Sequence, residues 1–411
     1  MSKENKLIPD LRFPEFQIER EWEYLNGNEL FEPISNKNHN SDLPILAITQ
    51  AQGAVPRELI NYNVSVTDKS VESYKVVEVG DFIISLRSFQ GGIEYSKYLG
   101  LCSPAYIILR KKQDDSNDFY RHYFKSFLFI QDLNRNLEGI RDGKMISYKQ
   151  FSDILIPHPK NQEQQKIASC LSSLDELLAA HSDKLDALKD HKKGLMQNLF
   201  PQEGETVPRL SFAEDAFWTV NSLPDVVFFQ EGPGIMAVDF RDEGVPLVRL
   251  SGVGGTEVTL NGCNFLDPKK VKNKWAHFRL LPNDIIISTS ATFGLSSIVT
   301  EAVEGAIFYT GLIRFRPSND QLDRGFLNAF LGSPPFERQV KSAAVGGGIK
   351  HFGPTHLKQM EISFPTFVEQ QKIASCLSAV DELINAQADK IEQLQQHKKG
   401  LMQGLFPKIK S

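Results

Sequence analysis

The most constraining feature of this sequence is a long segment that occurs twice. Residues 163–201 and 369–407 align without a gap, each residue of the second copy lies 206 positions after its counterpart, and 27 of the 39 aligned residues are identical. Short repeat periods of about 20–50 residues indicate solenoids, whereas one repeat at so long a period indicates two similar halves. We therefore expect a chain built from two related halves.

Both copies have the periodicity of a long helix with a coiled-coil face. Apolar residues recur in alternating steps of four and three, which is the 3.5-residue period of a left-handed coiled coil. Pro201 and Pro407 end the two patterns, because proline cannot continue a helix. The predicted apolar seam consists of Ile167, Leu171, Leu174, Leu178, Leu185, Leu188, Leu195 and Leu199 in the first copy, and of Ile373, Leu377, Val380, Ile384, Ile391, Leu394, Leu401 and Leu405 in the second.

Each predicted seam also has two polar positions at equivalent heights. His181 corresponds to Gln387, and Lys192 corresponds to Lys398. Polar seam residues weaken a coiled coil but specify its register and orientation. We expect the two helices, each roughly 50 Å long at 1.5 Å per residue, to pair within the chain as a strut. The alternative is that each helix packs only on its own domain.

Composition limits the class of protein. A length of 411 residues predicts two or three domains, and 41% hydrophobic with 24% charged residues is typical of a globular protein. No run approaches the roughly 18 apolar residues of a membrane span, and the first residues lack the apolar core of a signal peptide, so we expect a cytoplasmic protein without membrane contact. The net charge of −5 argues against a strongly basic nucleic-acid binder, although local basic patches stay compatible with it.

The segments before the two helices share a pattern more than a sequence. KVVEVGDFIISLRSF (residues 75–89) and FRLLPNDIIISTSATF (residues 278–293) each contain a turn, a β-branched run and then a polar loop. Residues 103–110 and 310–316 predict a further buried strand in each half. The predicted domains are 1–160 and 202–365, and the predicted long helices are 161–201 and 366–411.

These features together resemble the specificity subunit of a type I restriction–modification system. The resemblance is carried by the duplicated EQQKIA block, the openings PDLRFPEF (residues 9–16) and VPRLSF (residues 207–212), YKVVEVGDFI (residues 74–83), GLCSPAYIILR (residues 100–110) and LVRLSGVGG (residues 247–255). It implies an α+β fold: two strand-rich target-recognition domains separated by two long helices that form an antiparallel intramolecular coiled coil, with a pseudo-two-fold internal repeat.

The resemblance also implies a function. Members of that family are not enzymes themselves but bind a bipartite site in double-stranded DNA, one half-site per variable domain. They recruit two methyltransferase subunits and two restriction–translocase subunits, and those partners, not this chain, use S-adenosylmethionine, ATP and magnesium. An antiparallel helix pair that carries two different domains fits this role. We expect such a chain to contact two half-sites about one helical turn of DNA, roughly 34 Å, apart. Because the two domains differ, the two half-sites should differ in sequence.

Motifs for catalysis or metal binding are weak. Ser333-Pro334-Pro335-Phe336 is similar to the (N/D)PP(Y/F) loop of amino-methyltransferases, but Ser333 offers neither the amide nor the carboxylate which that loop needs. The glycines at residues 346–348 do not fit the phosphate-binding pattern G-x-x-x-x-G-K-[ST]. The four cysteines form no CxxC pair, and the nine histidines form no H-E-x-x-H pattern. We therefore expect no catalytic and no metal site.

Candidate DNA contacts are polar and basic residues in the variable loops, since phosphate contacts position a protein and base contacts specify the sequence. The first domain offers Arg87, Ser88 and Gln90 before a Gly-Gly pair, and also Arg57, Arg141, Lys144, Tyr148 and Lys149. The second domain offers Arg249, Ser251, Lys274, Thr289, Ser290, Thr292, Lys341, Lys350 and His351. For each of these taken singly, a solvated surface side chain is the alternative.

Two other functions stay open at this point. One is a non-catalytic interaction protein with two binding domains on a coiled-coil strut. The other is a self-sufficient methyltransferase or nuclease, which the length disfavours because two variable domains and two helices leave no room for a catalytic domain.

Overall fold

The structure, a computed structural model, describes residues 8–60, 71–135, 146–214, 217–289, 296–344 and 353–407. The chain forms two compact units. Unit 1 comprises Met1–Ser182 with Lys390–Ser411, and unit 2 comprises Asp183–Asp389. Each unit therefore contains a part of both long helices. No helix in the described ranges is long and apolar enough to cross a membrane.

Unit 1 is built on a four-stranded antiparallel sheet with the order β2-β9-β6-β7, and on three two-stranded ladders, β1-β10, β3-β4 and β5-β8. Its strands are β1 Glu23–Asn26, β2 Phe31–Ile34, β3 Leu46–Thr49, β4 Gly53–Pro56, β5 Lys75–Val77, β6 Phe82–Ile84, β7 Glu94–Tyr95, β8 Gly100–Cys102, β9 Ile107–Lys111 and β10 Leu155–His158. Its helices before the first long helix are α1 Gly27–Leu30, α2 Ser88–Gly91, α3 Asn117–Tyr123, α4 Phe127–Arg135 and α5 Tyr148–Ser152.

Unit 2 has a corresponding four-stranded sheet, β12-β19-β16-β17, a second sheet β13-β15-β14-β18, and the ladder β11-β20. Its strands are β11 Thr219–Ser222, β12 Val227–Glu231, β13 Phe240–Arg241, β14 Val245–Val248, β15 Asn264–Leu266, β16 Ile285–Ser288, β17 Ser296–Ile298, β18 Ile307–Phe308, β19 Leu312–Pro317 and β20 Glu361–Phe364. The two long helices are α6 Asn161–Leu199 and α12 Phe367–Leu405; between them lie α7 Leu223–Val226, α8 Pro268–Lys270, α9 Arg324–Leu331, α10 Pro334–Ala344 and α11 Pro354–Leu357.

A buried aspartate fixes the same turn in both units. Asp81, which is 1% exposed, accepts the backbone N–H of Glu78 at 2.8 Å and binds both Nε and Nη2 of Arg110 on β9. Asp284 is equally buried, accepts the N–H of Leu281 at 2.9 Å and binds Arg316 on β19 in the same way. A paired, hydrogen-bonded carboxylate avoids the penalty of a lone buried charge. The predicted turns and the strands after them are thereby confirmed.

The repeated glutamates anchor the starts of the long helices. Glu163, 3% exposed at its side chain, binds Arg12 Nε at 2.7 Å and Trp22 Nε1 at 3.0 Å in unit 1. Its counterpart Glu369 accepts the N–H of Phe212 at 3.2 Å in unit 2. Arg12 lies in the opening PDLRFPEF and Phe212 lies in the opening VPRLSF, so each opening supplies a donor to the glutamate at the start of a long helix.

The adjacent repeated glutamines connect each helix start to its own unit. Gln164 donates to the Pro159 carbonyl at 2.9 Å and accepts the N–H of Ser116 at 3.1 Å. Gln370 donates to the Pro365 carbonyl at 3.0 Å and accepts the N–H of Asp323 at 2.8 Å. Since both side chains are fully buried, each must satisfy its donors and acceptors internally.

The seam side chains face inward along both helices. All sixteen predicted apolar seam residues are buried or half-buried. In unit 1, Ile167 and Leu171 share a core with Leu405 and Phe406. In unit 2, Leu199 and Phe200 share a core with Ile373 and Leu377. Within each unit the start of one long helix thus packs beside the end of the other, so the two segments run antiparallel.

The polar seam lysines have acidic partners. Lys398 forms an ion pair with Asp175 in unit 1. Lys192 pairs with Asp381 at 2.6 Å in unit 2. Asp175 and Asp381 are themselves counterparts in the repeat, as are the two lysines. The same cross-helix contact therefore occurs once in each unit.

Candidate nucleic-acid interface

Two loops of unit 1 meet beside the end of β6. The side chains of Arg87 and Gln90 are exposed in the turn at residues 87–92, which contains α2. Gln50, in the turn between β3 and β4, donates from Nε2 to the Arg87 carbonyl at 3.4 Å. This arrangement presents a guanidinium and two side-chain amides on one surface, which are the groups that bind guanine and adenine edges in DNA. Gln50 was not predicted, because a glutamine in a short turn carries no sequence signal of its own.

Ser88 has a different environment from its neighbours. Its side chain is 1% exposed, and its Oγ accepts the N–H of Ser85 at 2.8 Å. This burial argues against direct DNA contact and makes Ser88 part of the support of the turn.

The other predicted residues of unit 1 do not join this surface as a group. The half-buried Tyr148 donates its hydroxyl to the Phe31 carbonyl at 3.0 Å, and burial raises its pKa. That hydrogen bond argues for a structural role. Lys149 is exposed on α5, and Arg57 is half-buried just after β4. Arg141 and Lys144 lie outside the described residues.

In unit 2, Arg249 lies at the end of β14 with its guanidinium held by aromatic rings. Its Cζ is 4.0 Å from the Tyr309 ring centroid and 5.5 Å from that of Phe240, and Nη1 donates to Asn264 Oδ1 at 3.0 Å. Such stacking pre-organises a guanidinium. Ser251 is exposed close by, and its hydroxyl donates to the Asn261 carbonyl at 2.8 Å.

Thr289 at the end of β16 is buried, in contrast to its predicted role. It is 2% exposed, and its hydroxyl donates to the Gly311 carbonyl at 3.1 Å. Direct base contact by this side chain is therefore disfavoured. Ser290 and Thr292, which follow it, lie outside the described residues, as do Lys350 and His351. Lys341 is exposed on α10 and pairs with Glu337 at 2.7 Å one helical turn earlier.

A cluster of basic residues surrounds Lys274. Residues 268–279 contain Lys269, Lys270, Lys272, Lys274 and Arg279 and no acidic residue. Lys269, Lys272 and Lys274 are exposed on α8 and on the π-helical turn Val271–Trp275 that continues it. Clustered exposed lysines suit the phosphate backbone of DNA, which supplies most of the non-specific affinity. Only Lys274 was predicted, although the local charge run could have identified Lys269 and Lys272 too.

A metal centre is not a feature of the described part of the chain. Within these ranges, no three His, Cys, Asp or Glu side chains lie together as a metal site would require. What the described surfaces offer is hydrogen-bonding and cationic side chains.

Comparison with known proteins identifies the family. A model of the type I restriction modification DNA specificity domain matches residues 20–190 and again residues 218–396. The MjaVIII type I restriction enzyme specificity subunit of Methanocaldococcus jannaschii is 26% identical over 351 residues, which is 82% of this chain and 80% of the relative.

Solved structures share the fold. The S subunit of a type I restriction–modification system from M. genitalium superposes with a TM-score of 0.57 at 15% identity, over 98% of this chain and 100% of that one. A chain from a structure of type I restriction–modification complex assembly gives a TM-score of 0.59 at 17% identity, over 94% of this chain and 97% of that one. The chain belongs to the family of type I restriction–modification DNA specificity subunits. Proteins of this family recognise DNA sequence and are not catalytic.

Proposed function

We propose that this chain binds an asymmetric bipartite DNA site, with one half-site read by each unit. The observation that carries the proposal is that the two units have the same frame but different loop surfaces. The frame is the four-stranded sheet, β2-β9-β6-β7 in unit 1 and β12-β19-β16-β17 in unit 2. The Asp81–Arg110 and Asp284–Arg316 pairs hold equivalent turns. The loop surfaces of the two units differ: after the end of β6, unit 1 offers Arg87 and Gln90 together with Gln50, whereas after the end of β14 unit 2 offers the stacked Arg249. Equal frames with unequal surfaces favour two different half-sites over a palindrome.

In this proposal, the residues divide between positioning and reading. Lys269, Lys272 and Lys274 neutralise phosphates, which orients the chain on the duplex without sequence preference. Arg87, Gln90 and Arg249 contact base edges, each good bidentate pair discriminating by about 1–3 kcal/mol. The spacer between the half-sites is unread.

The chain also recruits the partners that act on the DNA. We propose two methyltransferase subunits and two restriction–translocase subunits per chain, with S-adenosylmethionine, ATP and magnesium bound by those partners. One of the solved structures that share this fold concerns complex assembly of a type I system, and that likeness supports assembly of this kind.

Mapping methylated bases in the source genome, with the gene, without it and after its restoration, tests this proposal. We expect methylation at one split, asymmetric motif to disappear on deletion and to return on restoration. Loss at a palindromic or continuous motif would contradict the bipartite site. Unchanged methylation in cells that make the partner subunits would reject the function and favour an interaction protein.

A further inference from the structure

One position in the sheet carries a buried polar side chain in both units. Glu94 on β7 is the register partner of Ile83 on β6, and Ser297 on β17 is the register partner of Ile286 on β16. Ile83 and Ile286 each lie two residues after the buried aspartate of the turn, so the two positions are equivalent. Glu94 is 1% exposed and Ser297 is fully buried. The residue types at the two positions differ, so their equivalence lies in the strand register and not in the sequence pattern.

In unit 1, Glu94 acts through Lys125 on two loops. Lys125 Nζ donates to Glu94 Oε1 at 2.5 Å, to the Gly91 carbonyl at 2.9 Å and to the Gln50 carbonyl at 3.3 Å. The ammonium group thus joins the turn of residues 87–92 to the turn between β3 and β4. Burial raises the pKa of Glu94 and lowers that of Lys125, and the attraction between the two charges opposes both shifts.

The same turn is packed tightly against the backbone near Lys125. Gly92 has a φ of +80°, and a Cβ placed there would lie 1.9 Å from the Phe124 carbonyl oxygen. Only glycine permits this approach. A Cβ on Gly91 would lie 2.7 Å from the Gln50 side chain. The turn that carries Arg87 and Gln90 therefore packs against both Phe124 and the Gln50 turn, and Lys125 bonds to the backbone of both turns.

In unit 2, Ser297 contacts the loop after β14 directly. Its Oγ accepts the N–H of Gly254 at 2.9 Å and donates to the Gly255 carbonyl at 2.6 Å. This loop follows Arg249 and Ser251, as the Gln50 turn follows β3. Asn385 on α12 binds the same loop through Thr256 Oγ1 at 2.7 Å.

We propose that Glu94, through Lys125, and Ser297 are positioning residues that hold the loops after β3 and β14 in the conformations that select each half-site. The inference rests on the proposed function. A buried ion pair is seldom more stabilising than an apolar pair of similar size, but it specifies one geometry. Glu94 Oε2 has no hydrogen-bond partner within the described residues, so stability alone explains this pair poorly. A different residue at the position of Glu94 or Ser297 would change the loop that it holds and leave the four-stranded sheet of that unit unchanged.

The test uses the full chain assembled with its methyltransferase subunits, on a duplex library that varies every base of both half-sites. We expect the double variant Glu94→Leu with Lys125→Met to fold and to lose about tenfold selectivity at one or two bases of a single half-site, which is the scale of one mismatched pair. Ser297→Ala should do the same at the other half-site only. Lys125→Arg and Ser297→Thr, which keep the donors, should retain most of the selectivity.

Each variant is the control for the other. Folded variants with unchanged selectivity at both half-sites would overturn the inference and leave a purely structural role. Equal losses at both half-sites would also overturn it, since a general assembly defect has that signature. If Glu94→Leu with Lys125→Met fails to fold, the small change Ser297→Ala carries the test alone. An unmodified chain that selects no split site would instead reject the proposed function.

Discussion

At the scale of single residues, Asp175 gathers three basic side chains of unit 1. It forms an ion pair with Lys398, lies 3.4 Å from Arg121 Nη2 and 3.8 Å from His122 Nδ1. His122 is 3% exposed, and its Nε2 is 3.2 Å from Ser172 Oγ. Burial lowers the pKa of His122 to about 3; Arg121 and Lys398 add to the effect, and Asp175 opposes it. The imidazole is therefore neutral in the folded protein near pH 7.

This depressed pKa predicts a pH-dependent stability. The folded state favours the neutral form of His122. The contribution of His122 to the free energy of unfolding is therefore fully present above the pKa of the histidine in the unfolded chain, near 6.5, and is lost as the pH falls towards about 3. In that window the free energy of unfolding should fall by up to about 1.4 kcal/mol per pH unit on account of His122. The free energy of unfolding, measured by urea denaturation between pH 4 and pH 8, should depend less steeply on pH for His122→Gln than for the parent. The exposed His191, changed to Gln, is the control, and equal slopes for His122→Gln and the parent would contradict the assignment.

At the scale of elements, the long helices were the most predictable part of the fold. Their seam residues could be predicted because the 3.5-residue period is visible in the sequence of each helix alone, whichever helix it packs against. The acidic partners of Lys192 and Lys398 were missed, because Asp175 and Asp381 lie outside the seam positions and meet the lysines only through tertiary pairing. The strands β6, β9, β16 and β19 were recognisable individually from the sequence pattern, whereas their pairing and the sheet order depend on contacts distant in sequence.

The candidate interface was less predictable than the helices. Residue type suggested that Ser88 and Thr289 contact bases, yet both are buried. A hydroxyl group can bond to the backbone of a turn as well as to a ligand, and the sequence does not distinguish the two cases. Gln50 lies far from Arg87 in sequence and reaches it only through the fold. Burial and loop neighbours, which determine what DNA could touch, are tertiary properties.

The cross-helix ion pairs predict charge-reversal behaviour. Lys192→Asp places two carboxylates where Lys192 and Asp381 now pair at 2.6 Å, and it should lower the free energy of unfolding of unit 2 by about 1 kcal/mol. The effect is modest because both side chains are about one-third exposed. Adding Asp381→Lys should restore most of the loss. The measurement is a double-mutant cycle by denaturation, with Lys193→Asp at the neighbouring exposed lysine as the control. If the double variant loses as much free energy of unfolding as the two single variants lose together, Lys192 and Asp381 are not coupled.

At the scale of the whole molecule, two units with similar four-stranded sheets are joined by two long helices of repeated sequence. Each helix begins in one unit and ends in the other. If each unit reads its own half-site, its bases depend on that unit's loops, whereas the spacer depends on the helices. Reading and spacing should then be separable by mutation.

Removing one heptad from both helices tests this separation. Deleting residues 180–186 and 386–392 retains the phase of the seam and leaves Asp175, Lys192, Asp381 and Lys398 in place. A heptad shortens a helix by about 10 Å, which corresponds to about 3 base pairs of B-DNA. We expect the assembled complex to select a motif with a spacer shorter by about that amount, or to lose binding, while the bases of both half-sites remain the same.

The control replaces the variable segment of unit 1, residues 1–160, by that of a homologous chain while both helices are kept. That exchange should change the bases of one half-site and preserve the spacer, which is the reverse of the deletion's effect. Selection from a library of duplexes with randomised half-sites and spacers measures both quantities at once. A deletion variant with full activity and an unchanged spacer would show that something other than the helices determines the distance, because the helices are the elements that the deletion shortens.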